Sequence, residues 1–152
     1  MPRDFRELPS FLSKVGRNID MNTENLVKRV AIEVGDVLIN NTRVDTGLAR
    51  SNWQATLDVP AAGTIPPYAP GRKLGLAETA NANAAKAQLQ STTSIFDLGR
   101  NRAIFITNNV PYIGLLNDGS VAESPTNFVE KAVQRGQAVV KAQRSLTKRP
   151  RR

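Results

Sequence analysis

The pattern of apolar residues predicts an α+β domain: a small antiparallel sheet packed by a long N-terminal helix and a C-terminal helix, with a loop-rich insertion. Three observations carry this. Leu26, Val30, Val34, Val37 and Leu38 recur at helical spacing early in the chain, and Phe128, Val129, Ala132, Val133, Val139 and Val140 do so late in it. Two short segments between them, residues 52–59 and 103–107, read as strands. Pro60, Pro66, Pro67 and Pro70, with Gly63, Gly71 and Gly75, break up the intervening stretch.

Taken in order, residues 4–42 read as helical, with Leu8, Leu12, Val15 and Ile19 as a first apolar series. Asp20-Met21-Asn22-Thr23 separates it from the second series. Asn22 or Thr23 could cap a new start, so the region is either two helices or one kinked helix. A helix of about 18 residues from Thr23 would span about 27 Å. Asn40-Asn41-Thr42 should end it, and Val44-Asp45-Thr46-Gly47 should turn the chain. Trp53, Ala55, Leu57 and Val59 then alternate with Asn52, Gln54, Thr56 and Asp58, the pattern of a half-buried strand.

Residues 60–102 form the expected insertion: an irregular loop, an Ala-rich helix over 77–89, and a connector over 90–102. A loop-rich insertion of this length is unusual in a small domain unless it has a purpose such as a subunit contact. After the second strand, Pro111 opens a short helical turn with Tyr112, Leu115 and Leu116 on one side, and Gly119 suits its left-handed C-terminal position. Asn127 and Glu130, three apart, fit a capping box for the last helix. The apolar face fades after about Ala142. Residues 1–140 therefore read as one domain and residues 141–152 as a basic tail.

Composition narrows the chemistry. The chain has 152 residues, 40% of them hydrophobic, enough for one modest core. Aromatics are 5%, so Val, Leu, Ile and Ala must fill that core. Without cysteine there are no disulfides or thiolate metal sites, and without histidine the commonest general base and metal ligand is missing. The first residues mix charges of both signs with no apolar run behind them, and no stretch reaches the roughly 18 apolar residues of a membrane span. The expectation is a soluble protein made in a cytoplasm, with no membrane and no cofactor.

The net charge of +8 is uneven. Lys141, Arg144, Lys148, Arg149, Arg151 and Arg152 supply six of the 21 basic residues, which leaves 15 against 13 acidic residues in the body. These six are the candidate polyanion contacts.

Among short motifs, Asp45-Thr46-Gly47 resembles the active-site triplet of retroviral-type aspartic proteases, in which two carboxylates share a proton. A homodimer would supply the second Asp. Yet the protease triplet follows an apolar strand, whereas this one follows a helical segment and Arg43, and Leu48-Ala49-Arg50-Ser51 matches poorly what comes next there. The plain reading is that Asp45 accepts a backbone hydrogen bond and Gly47 makes a turn. Glu33 and Asp36 share a helical face, but Lys28 and Arg29 offer them simple partners. Gly71-Arg72-Lys73-Leu74-Gly75 lacks the spacing and the Ser or Thr of a phosphate loop. Trp53 on an alternating strand reads as core, with a subunit interface as the alternative.

A combination is more telling than any one motif. Thr42-Arg43-Val44-Asp45-Thr46-Gly47-Leu48-Ala49-Arg50-Ser51-Asn52-Trp53 is followed much later by Ile106-Thr107-Asn108-Asn109-Val110-Pro111-Tyr112. Then come Leu115-Leu116-Asn117-Asp118-Gly119-Ser120, Ser124-Pro125 and Phe128-Val129. This resembles the neck or tail-completion proteins of tailed bacteriophages, the group that includes lambda-type tail protein Z and related minor tail components. The match covers roughly residues 25–59 and 103–140. Asn117 stands where that family often has Glu, which puts in doubt any subunit salt bridge such a Glu would make. The resemblance implies a non-enzymatic virion protein made in the host bacterium and located at the head–tail junction. It implies a ring of six copies, or of twelve, contacting neighbouring neck and tail rings, with DNA passing through the lumen without sequence-specific contact. It also implies that Asp45, Gly47, Arg50, Trp53, Asn109, Tyr112, Asn117 and Gly119 serve subunit or partner contacts. Two alternatives stand beside it: a small basic nucleic-acid-binding protein, and an aspartic-protease-like enzyme using Asp45.

Overall fold

A computed structural model describes residues 8–43, 47–70, 76–121 and 125–147. The elements are α1 (Leu8–Asn41), α2 (Leu48–Ser51), β1 (Gln54–Leu57), α3 (Leu76–Ser94), β2 (Ile104–Thr107), α4 (Ile113–Asp118) and α5 (Phe128–Thr147). The class is α+β, mostly helical, with α1 and α5 packed beside a two-stranded antiparallel sheet. The register pairs Gln54 with Thr107, Ala55 with Ile106, Thr56 with Phe105 and Leu57 with Ile104.

The expected break at Asp20–Thr23 is absent, and α1 is continuous through it. The Thr23 hydroxyl donates to the carbonyl of Ile19, four residues back, so it bonds within the helix and caps nothing. The 34 residues of α1 set its length at about 51 Å, and the other helices fold back along its C-terminal part. Arg135 of α5 pairs with Glu33, Gly136 faces Val30 and Val34, and Val140 lies level with Leu26 and Val27. Leu89 of α3 lies on Gly35, and Lys28 reaches the carbonyl of Ser94. The two crossings depend on bare backbone: a Cβ at Gly136 would come within 2.8 Å of Val34 Cγ2, and one at Gly35 would overlap Leu89.

The core gathers Leu38, Ile39, Trp53, Ala55, Ala85, Leu89, Leu116, Phe128 and Ala132. Trp53 meets Phe128 edge to face at 6.3 Å, an arrangement that favours aromatic pairs beyond the area they bury. The core departs from the sequence pattern in four places. On α5 the buried series is Phe128, Ala132, Gly136 and Val139, while Val129 and Val133 face outward. Of the three residues grouped on the short helix, only Leu116 is buried, and Tyr112 and Leu115 are exposed. Val59 is exposed because Asp58, at φ 64°, ends the strand and turns the chain. The Ala-rich helix is longer than its sequence suggests, running to Ser94 and burying Asn81, Ala85, Leu89 and Thr93 at four-residue intervals. Past Ala142, α5 continues to Thr147, so the basic segment begins as helix.

One buried polar atom has no hydrogen-bond partner among the described residues: Thr107 Oγ1, at the end of β2. An orphaned hydroxyl costs stability, and its removal in an isosteric residue that keeps the β-branch should return it. Thr107→Val is therefore expected to raise unfolding free energy by about 1 kcal/mol in a urea titration, whereas a loss of that size would mean the hydroxyl has a partner.

Candidate functional site

The segment from Thr42 to Trp53 and the segment from Asn108 to Gly119 meet around the C-terminal end of α1. This end leaves carbonyls without helical partners. The Thr42 hydroxyl donates to Leu38 O at 2.7 Å, adding to the bond that the Thr42 amide already makes there, and Asn41 donates from its side chain to Val37 O at 2.8 Å; the carbonyl that gains an outside donor is that of Thr42. Arg50 is buried and donates from Nε and Nη2 to Thr42 O, at 3.2 and 2.7 Å, while its Nη1 meets Glu78 at 3.0 Å. A cation at a helix C-terminus also opposes the helix dipole. Trp53 Nε1 donates to Thr42 Oγ1 at 2.7 Å, so this hydroxyl is both donor and acceptor.

Gly47, at φ 79°, starts α2 and packs on Asn81, where a Cβ would collide. Only glycine meets both demands easily. Asn81 sits fully buried on α3. Its Oδ1 accepts from Ser51 Oγ and from Ala69 N, and its Nδ2 donates to Ala69 O. Asn52 repeats the device: Nδ2 donates to Leu48 O and Ile65 O, and Oδ1 accepts from Ile65 N, all at 2.8 Å. Both side chains mimic a strand partner for the Pro-rich loop. Gln88 does the same for β1, accepting from Ala55 N at 3.0 Å and donating to Ala55 O at 2.7 Å.

The paired asparagines after β2 divide their work. Asn108 donates to Ala49 O, and exposed Asn109 donates to Ala61 O and Gly63 O. Asn117 stands at the start of α5. Its Oδ1 accepts from Val129 N, its carbonyl accepts from Asn127 N, and its Nδ2 reaches Glu130 at 3.1 Å. The expected Asn127–Glu130 capping box is thus replaced by a cap from α4, with Asn127 itself at φ 55°. The Asn117 amide holds Glu130 below the usual carboxylate range. Gly119, at φ 83°, closes α4 as expected.

Of the residues proposed as contact sites, Gly47, Arg50 and Trp53 are buried within the chain, and their polar groups are engaged there. Asn109, Tyr112, Lys141 and Arg144 lie at the surface, and Asn117 and Gly119 are half-buried. Asp45, Lys148, Arg149, Arg151 and Arg152 lie outside the described residues. So does Asp45's hydrogen bonding, but the segments flanking its triplet are α1 and α2, with no strand before it. No group of three carboxylates that could hold a metal occurs among the described residues, nor does a helix long and apolar enough to cross a membrane.

Sequence reasoning missed Ser51, Asn52, Asn81 and Gln88. It also missed an apolar groove of about 460 Å³ between α1, α5 and β2, and a second of about 440 Å³ between α1 and α5. The grooves share Val30, Val34 and Val140.

Asn81→Ala removes three hydrogen bonds, leaving the Ser51 hydroxyl without its acceptor, though it still accepts from Tyr68 N, and the Ala69 backbone without the Asn81 amide. A loss of about 3 kcal/mol in unfolding free energy is expected. A loss under about 1 kcal/mol would mean the loop is held by something else. A second test uses acid. Asn101 Nδ2 and the amides of Arg102 and Ala103 bond the Asp58 carboxylate and hold it below its ordinary value. A depressed carboxylate stabilises the fold above its unfolded pKa, and that contribution disappears as pH falls through the lower, folded value. Thermal midpoints should therefore drop below the ordinary carboxylate range, and Asp58→Asn should make the drop shallower.

Comparison with protein families, with curated proteins and with solved structures finds no match to this chain.

Proposed function

We propose that this chain is a ring-forming structural subunit of the head–tail neck of a tailed bacteriophage, where it joins or completes the tail. The motif resemblance set out above is the starting point. The observation that carries the reading furthest is the apolar surface that one copy leaves uncovered. Leu12, Ile19 and Met21 on the first half of α1 are 57, 58 and 61% exposed, and Val133 on α5 is 51% exposed beside the grooves. Scattered apolar residues such as Met21, on the opposite side of α1, are ordinary on a surface, but Leu12 and Ile19 lie within about 20° of one another on a line that leads to the grooves, and such an alignment marks an interaction site.

In this reading the segment from Gly47 to Trp53 is internal framework. Its buried Arg50 and Trp53 fix the angle between α1 and the sheet, and the outward residues Asn109 and Tyr112 face neighbours. A closed ring needs a heterologous contact whose rotation closes, and six copies is the favoured number, with twelve the alternative. Lys141 and Arg144, on the last turns of α5, point the basic segment toward acidic surfaces of adjoining rings. Strong cationic contact with DNA would hinder its passage, since each phosphate neutralised adds affinity.

Negative-stain electron microscopy of the purified chain, alone and added to phage heads or tails that lack it, tests the proposal. Rings of uniform diameter, or joined virions restored, are the expected outcome. A chain that restores nothing and instead binds DNA with steep salt dependence would replace this reading with the nucleic-acid one.

A further inference from the structure

The first half of α1 presents Leu12, Val15 and Ile19 on one side, within about 60° of one another at 100° per residue. Glu24 accepts from the Leu98 amide and Leu26 lines the groove beside Val140, whereas Leu12 and Ile19, nearer the start of α1, are exposed. Leu26, Val30 and Val37 share the same azimuth, so the exposed stripe extends the seam that α5 fills further along. A helical end gains most of its stability from the packing of such a face.

Gly16 lies on this stripe, and an added Cβ there would meet nothing within 4 Å. Glycine inside a helix costs about 0.5–1 kcal/mol relative to alanine. Gly35 and Gly136 answer for this by close crossings within the chain, whereas Gly16 has no such neighbour. A closely approaching backbone from outside the chain would supply the reason.

The same molecule carries a matching recess. The grooves along the α1–α5 seam are lined by Val30, Val34, Ile104, Ile106, Val133 and Val140. Stripe and recess cannot meet within one copy, because both lie on one continuous helix: Ile19 and Val30 are about 16 Å apart along its axis. We infer that residues 8–23 of one copy seat in the apolar recess that these two grooves form along the α1–α5 seam of a second copy of this chain, stripe against recess. The contact is head-to-tail, so each copy both gives a helix and receives one. Eight residues line each groove and three are shared, so 13 face the incoming helix, a small contact by the measure of the roughly 20–30 a side of a standard interface and one that a closed ring repeats at every copy. The inference deepens the ring proposal by naming the surfaces that join its copies, and it rests on that reading only for the ring's place in a virion.

The chain has no cysteine, so introduced thiols report without background. Full-length Ile19→Cys and Val133→Cys chains are prepared separately and treated with a short bis-maleimide at about 0.1 mM chain, a concentration that fills even a contact of about micromolar affinity. Covalent dimer should form in the mixture and hardly at all in either preparation alone. Adding Leu12→Asp to the Ile19→Cys chain should reduce the yield about tenfold or more while leaving the circular dichroism melt unchanged, because Leu12 faces solvent in the single copy. Equal dimer from Ile19→Cys alone would mean a two-fold contact and overturn the inference, as would no dimer in the mixture. The two readings fail separately. Cross-linking without restored virions retires the neck assignment alone, while rings that persist in Leu12→Asp chains retire this contact alone.

Discussion

The C-terminal end of α1 is the joint on which the remaining elements hang. A long helix ends in carbonyls that must find donors, and here Thr42, just past the last residue of α1, gathers the bonds that tie this end to its neighbours. Its carbonyl takes two bonds from Arg50, and its hydroxyl takes one from Trp53 while giving one to Leu38. Those bonds fix α2 and the start of β1. Trp53 then meets Phe128, so the first turn of α5 is placed by the same joint. Arg50 goes on to Glu78 and so ties in α3. The ion pair is half-exposed on the Glu78 side, so its value lies more in direction than in energy.

A second theme is the use of carboxamides in place of backbone. A two-stranded sheet is marginal alone and has two edges to satisfy. Gln88 meets Ala55 from α3 with one acceptor and one donor, as a neighbouring strand would. This makes the Ala-rich helix part of the sheet's support. Its buried series Asn81, Ala85, Leu89 and Thr93 mixes polar and small residues, so the face is built by fit more than by hydrophobicity.

That mixture explains what was legible in the sequence. Both strands, the last helix and most of the first were visible, because Val, Leu and Ile recur there at the right period. Gly47 and Gly119 were readable as turn residues, and both have positive φ. The reach of α3 was not readable, since Ala, Asn and Gln give no periodic apolar signal. Val129 and Val133 misled for the opposite reason: they look like core, but the close crossing at Gly136 rolls α5 so that Ala132 and Val139 face inward. The Asn127–Glu130 spacing satisfied a local rule that Asn117, from a neighbouring helix, overrides. In the candidate site, Arg50 and Trp53 stand out in the sequence as contact residues, but their polar groups are engaged inside the fold. The stripe of Leu12, Val15 and Ile19 is visible in the sequence, whereas the grooves, which draw on α1, β2 and α5, take shape only in three dimensions.

The Pro-rich loop between β1 and α3 is held almost entirely by its main chain. Ala61 and Gly63 offer carbonyls to Asn109, Gly63 also to Gln54, Ile65 is clasped by Asn52, Tyr68 gives its amide to Ser51, and Ala69 is clasped by Asn81. The grip is on atoms common to every amino acid. The loop's path is therefore written in residues outside it, and its own side chains are released from the task of keeping it in shape. Such a segment can drift in sequence while its outline persists, so descendants of this chain could acquire new surface chemistry there without refounding the fold.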